Sequence, residues 1–62
     1  MTNLHICVLD DGITAVEVHN GHDIKYVETF NSWAALFFTL GEHMRNYASV
    51  EVTNRWISIS EA

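Results

Sequence analysis

Leu4-His5-Ile6-Cys7-Val8-Leu9-Asp10-Asp11-Gly12-Ile13-Thr14-Ala15-Val16-Glu17-Val18-His19 sets two runs rich in Val and Ile on either side of Asp10-Asp11-Gly12. Aspartate and glycine favour tight turns and β-branched side chains favour pleated strands, so the stretch predicts a β-hairpin, Leu4–Leu9 with Ile13–His19. Side-chain parity then selects the loop. A two-residue loop faces Ile6 with Glu17 and Leu4 with His19, whereas a three-residue loop sets Leu4 by Val18, Ile6 by Val16 and Val8 by Thr14. Since a slip of one residue reverses every side chain, the three-residue loop is expected, with Gly12 in the left-handed position. The opposite face then pairs His5 with Glu17, Cys7 with Ala15 and Leu9 with Ile13.

Outward from the hairpin, Asn20-Gly21 is the next turn and Asp23–Thr29 a third strand. Pairing Val18 with Ile24 and Val16 with Tyr26 keeps one face apolar, and sets His19 beside Asp23 and Glu17 beside Lys25. Asn31 or Ser32 can cap a helix in which Trp33, Leu36, Phe37, Leu40, Met44 and Tyr47 recur at helical spacing. Gly41 falls inside that pattern and marks a kink, a close backbone approach or the end of a first helical segment. Beyond Ala48-Ser49 the chain turns extended through Val50–Ser60. A parity change from Val50, Val52 and Trp56 to Ile57 and Ile59 calls for a bulge near Asn54 or burial on both faces. The expected fold is α+β: a three-stranded antiparallel meander, one helix packed on one face and a C-terminal strand (β-β-β-α-β), in one antiparallel sheet and a single domain over 1–62.

Composition bounds what this domain does. The chain has 62 residues, 48% of them hydrophobic and 18% charged, with no proline and one cysteine. A domain of this size buries only roughly 60% of the surface its unfolded chain exposes. Cys7 has no disulfide partner within the chain, which suits a reducing compartment, and Met1-Thr2-Asn3 is not a secretory start, so the cytoplasm is expected. Three Lys+Arg against eight Asp+Glu give a net charge of −5, which disfavours direct nucleic-acid binding.

Both layers carry apolar surplus. With the helix on the face of Leu4, Ile6, Val8, Val16, Val18, Ile24 and Tyr26, the other face still holds Cys7, Leu9, Ile13, Ala15 and Val27. On the helix, about 100° per residue puts Ala34, Phe38, Gly41 and Arg45 on a flank away from the core stripe. Two small residues, a large aromatic and a cation suit packing against a symmetry mate, so this flank is the expected homodimer interface.

Conventional sites are weak. His5, Cys7, His19 and His22 lack metal-ligand spacing, so no metal is expected. Cys7 reads as a small packing residue rather than a nucleophile, and Asp10-Asp11 as turn chemistry. No glycine loop cradles phosphate and no cofactor is expected; a chain this small has little room for a substrate pocket, which points away from enzymatic activity. The eight carboxylates are spread along the chain, and on a rigid sheet they can stand where a DNA-binding enzyme expects phosphates.

At the hairpin, Asp10-Asp11-Gly12 followed by Glu17, His19 and Gly21 resembles the small uracil-DNA glycosylase inhibitors of the homodimeric type encoded by phages of Bacillus. Their strand, D-D-G turn and second strand with E-x-H-x-G lead to a helix with exposed aromatics and a last strand. The resemblance covers about a third of the chain. It implies a dimer whose helices border an apolar groove for the side chain the glycosylase inserts into DNA, with acidic groups at the rim imitating the DNA backbone. Carried over by position, Glu17 matches a partner-contacting glutamate. The functional aromatics fall on Trp33 and Phe37, or on Leu36 and Leu40 when Gly41 is the anchor. Asp23 would join Glu17 on the rim, and Phe38 would line the groove. The chain departs from the pattern in the extra stretch His22–Thr29 and in Ala34 or Phe37 where an acidic helix residue is expected. The leading expectation is therefore a non-enzymatic, DNA-mimicking inhibitor of uracil-DNA glycosylase in the host cytoplasm, with Glu17, Asp23, Trp33, Phe37, Phe38 and Leu40 at the partner. The alternatives are an inhibitor of another host nucleic-acid enzyme (a nuclease, a CRISPR effector or RNA polymerase) and a self-associating structural module.

Overall fold

The hairpin forms with a two-residue loop, but in a register that differs from both of the expected ones. The computed structural model describes residues 1–57. Strand β1 (Thr2–Leu9) runs antiparallel to β2 (Gly12–His19), with Leu9 opposite Gly12, Val8 opposite Ile13, Ile6 opposite Ala15 and Leu4 opposite Glu17. The loop is therefore Asp10-Asp11 alone. Neither aspartate has a positive φ, and a two-residue loop of that kind does not match the twist of its strands. Gly12, at φ 151°, takes up the mismatch at the first rung of the ladder rather than as a left-handed loop residue. A Cβ at that position would also lie 2.9 Å from the carbonyl oxygen of Phe30 and from Cγ2 of Thr29.

This register turns β2 over relative to the expectation. Ile13, Ala15 and Glu17 share the face of Leu4 and Ile6, while Val16 and Val18 stand with Cys7 on the other side. The expected pairs Leu4–Val18, Ile6–Val16, Val8–Thr14, Cys7–Ala15, Leu9–Ile13 and His5–Glu17 are thus not formed. The reason lies in β2 itself. As an inner strand it buries both faces, with Ile13, Thr14, Ala15, Val16 and Val18 all buried, so alternation in its sequence carries no register information.

Strand β3 (Asp23–Phe30) pairs with β2 across Asn20-Gly21, whose φ values of 54° and 83° need the left-handed tolerance of Asn and Gly. His19 faces Asp23 and Val18 faces Ile24 as the sequence predicts. An irregularity between Glu17 and Val18 then shifts the ladder, so Tyr26 faces Glu17 and Val27 faces Val16. The expected pairs Val16–Tyr26 and Glu17–Lys25 are lost. Lys25 instead meets Asp23 at 3.0 Å, an exposed pair of little energetic weight.

Helix α1 (Trp33–Leu40) starts where Ser32 Oγ accepts from the backbone N–H of Ala35 at 3.2 Å. Ser32→Ala is expected to cost about 1 kcal/mol, read as a fall in melting temperature of roughly 4–8 °C for a domain of this size; an unchanged melting temperature would deny the cap a role. At Gly41 the α-helix gives way to a 3-10 helix, Gly41–Asn46. Leu36 and Leu40 are buried, and with Leu4, Ile6, Ile13, Ala15 and Phe30 they form the core, against which Tyr26, Met44 and Tyr47 pack.

Running back along the strands, the helical segment returns the chain to the end where β1 begins, so β4 (Ser49–Thr53) lies parallel to β1, with Asn3 opposite Ser49. The sheet is consequently mixed, in the order β3-β2-β1-β4, and not wholly antiparallel as expected. The strand ends at Thr53 rather than running to Ser60, and Asn54-Arg55 bends away without a bulged pairing. Ile59 and Ser60 lie outside the described residues.

Candidate functional site

The new register carries Glu17 to the helix side of the sheet. There β1 contributes Thr2, β2 contributes Glu17 and β3 contributes Tyr26 to a cleft of about 450 Å³. Its other wall is Thr39 and Leu40 at the end of α1, His43 and Asn46 of the 3-10 helix, and Tyr47. The α-helix passes into the 3-10 segment at Gly41, and both segments contribute residues to this wall.

Two phenols flank the carboxylate. Burial pushes the Tyr47 hydroxyl up to about 12, helped by the neighbouring Glu17, whose negative charge favours the protonated phenol. Burial likewise pushes Tyr26 up to about 12, with Glu28 and then Glu17 adding to the effect. Because these folded-state values exceed the ordinary value of 10.0, the protonated phenols contribute stability that is present below about pH 10 and is lost as pH rises towards about 12. Ultraviolet titration is expected to show both tyrosines ionising in that upper window while the protein is folded, and Glu17→Gln to lower Tyr47 more than Tyr26. Ionisation of both near pH 10 in the folded protein would contradict the arrangement.

The other sequence-predicted residues are distributed over separate places. Leu40 is 5% exposed and belongs to the core as well as to the cleft wall. Asp23 sits at the start of β3, engaged with Lys25. Trp33 and Phe37 stack on each other with ring centroids 5.8 Å apart and remain partly exposed. Phe38 is 92% exposed and buries little of its ring against the described residues. Ala34, Gly41 and Arg45 are exposed as well; Ala34 and Gly41 keep α-helical spacing with Phe38, but Arg45 does not continue their stripe. A 3-10 helix advances about 120° per residue against about 100° in an α-helix. Over the four steps from Gly41, Arg45 is carried some ~80° off the line expected for a continuous α-helix.

The uncovered apolar surface also differs from that expected on the sheet. Ile13 and Ala15 are core residues and Cys7 is fully buried, whereas Ile24 and Val27 on β3 are about half exposed. Val50 and Val52 on β4, in register with Leu4 and Ile6, are exposed too. Sequence reasoning missed Tyr26 and Tyr47 as site residues, since both carry the apolar signature of core positions. Among the described residues no group of His, Cys, Asp and Glu is placed to hold a metal ion. His19 contacts Thr2 at 3.1 Å, His22 contacts the carbonyl of Asn20 at 3.0 Å, and His5 lies 3.3 Å from Glu51. No described helix is long and apolar enough to cross a membrane.

Comparison of the chain with protein-family models, with curated proteins and with solved structures finds no match.

Proposed function

We propose that the protein is a DNA-mimicking inhibitor of uracil-DNA glycosylase that acts by occupying the enzyme's DNA-binding cleft, without covalent chemistry. The observation that carries this reading is the hairpin Asp10-Asp11-Gly12 with Glu17, His19 and Gly21, combined with the placement of Glu17 on the same side of the sheet as the helix. A net charge of −5 supports it, because a negative field steers association towards a surface built for phosphates. Glu17 supplies the acidic contact. Exposed Phe38, with Trp33 and Phe37, supplies the apolar surface for a side chain that the enzyme would otherwise press into DNA.

The reading includes a homodimer with Ala34, Phe38 and Gly41 at its contact and Arg45 displaced to the margin. A large aromatic exposed on a helix beside two small residues favours close approach by a second copy. Size-exclusion chromatography with light scattering is expected to give twice the chain mass; a monomer at micromolar concentration would remove the dimer. Function is tested by a fluorescent uracil-excision assay with added protein. Inhibition near stoichiometric addition is expected, and full activity at about a tenfold molar excess would overturn the proposal.

A further inference from the structure

The cleft around Glu17 has a chemistry more specific than that of an acidic rim. The carboxylate is half-buried and shares the cleft with two phenol rings and the apolar side chain of Leu40. Among the described residues the ion pairs are Lys25–Asp23 and His5–Glu51, so Glu17 has no cationic partner there. A carboxylate partly withdrawn from water and lacking a counter-ion favours the arrival of one. Neither Lys nor Arg lines the cleft, and His43 is the sole basic group along it. At about 450 Å³ the cleft is within the size range of small-ligand sites.

We infer that this cleft is a receptor for an arginine side chain, taking the guanidinium at Glu17 between Tyr26 and Tyr47. Arginine fits better than lysine for three reasons. Its planar fork can address both oxygens of one carboxylate; it stacks on aromatic rings; and it gives up water more readily than an ammonium group does. Leu40 offers apolar contact to the aliphatic stem, and the hydroxyl of Thr39 and the side-chain amide of Asn46 offer acceptors for the remaining N–H groups. The source of the arginine rests on the reading above, since an enzyme surface shaped for DNA phosphates presents guanidinium groups. The chemistry of the cleft does not depend on that source.

The test uses the isolated protein and a blocked amino acid. Isotope-labelled protein is titrated with N-acetyl-arginine amide and followed by amide chemical shifts, with N-acetyl-lysine amide and the uncharged N-acetyl-citrulline amide as parallel arms. Saturable shifts at Thr39, His43 and Tyr47 are expected with arginine, weaker ones with lysine and none with citrulline. Glu17→Gln is expected to weaken arginine binding about tenfold or more while leaving the spectrum dispersed. Tyr47→Phe, which keeps the ring, is expected to retain more binding than Tyr47→Leu. Absence of saturable shifts with arginine, equal responses to arginine and citrulline, or an unchanged affinity in Glu17→Gln would overturn the inference. Arginine binding without inhibition of uracil excision would sustain the cleft and remove the proposed target; inhibition without arginine binding would do the reverse.

Discussion

Leu36→Ala is expected to leave the protein largely unfolded in mild denaturant. Leu36 is fully buried at the centre of the contact between α1 and the sheet. Emptying such a site costs about 2–5 kcal/mol through lost transfer energy and an unfilled cavity. At about 0.05–0.15 kcal/mol per residue, 62 residues supply roughly 3–9 kcal/mol in total, so the loss is a large share of what holds the fold. Two positions along the same helix, Phe38→Ala removes a larger side chain that is 92% exposed in the single chain. It is expected to change the stability of the monomer by less than about 0.5 kcal/mol, any further loss being the weakened dimer. Urea denaturation of the two variants checks the pair. A greater loss for Phe38→Ala would mean that the helix buries its other face.

Glu17→Lys is expected to abolish inhibition of uracil excision while leaving the fold and the oligomeric state intact. Glu17 sits at the cleft rather than in the apolar core, so reversing its charge does not open a cavity. Opposite a basic partner surface, losing one member of a desolvated charge pair costs about 2 kcal/mol or more, a fall in affinity of roughly 30-fold or more. The measurement is the inhibition curve of the variant against that of the parent protein, with circular dichroism and light scattering as controls. Undiminished inhibition by a folded Glu17→Lys would remove Glu17 from the contact.

Much of the fold is legible in the sequence, and the misreadings share a physical cause. Asn20-Gly21 and Ser32 announce themselves because a positive φ and a cap each favour particular residues, and Gly41 marks the place where the α-helix ends. Strand register depends on one polar face, and β2 offers none: Ile13 and Ala15 are as apolar as Val16 and Val18, and all four are buried. The shift opposite Lys25 is a backbone event with no residue signature. Val50 and Val52 mark a strand, but their types do not say whether it lies parallel or antiparallel to β1. The site inherits these limits. Glu17 was identifiable as a residue, yet the expected pairing with His5 put it on the wrong side of the sheet. Tyr26 and Tyr47 read as core because a phenol's ring gives the pattern and its hydroxyl does not. Phe38 was readable from helical angle alone, and the structure leaves it open to solvent.

A protein proposed to take the place of DNA on uracil-DNA glycosylase is tested most directly by steady-state kinetics of uracil excision at varied substrate. Added protein is expected to raise the apparent KM for uracil-containing DNA and leave kcat unchanged, because the protein and the substrate compete for one cleft. No inhibition at any substrate concentration, or a fall in kcat at constant KM, would contradict it.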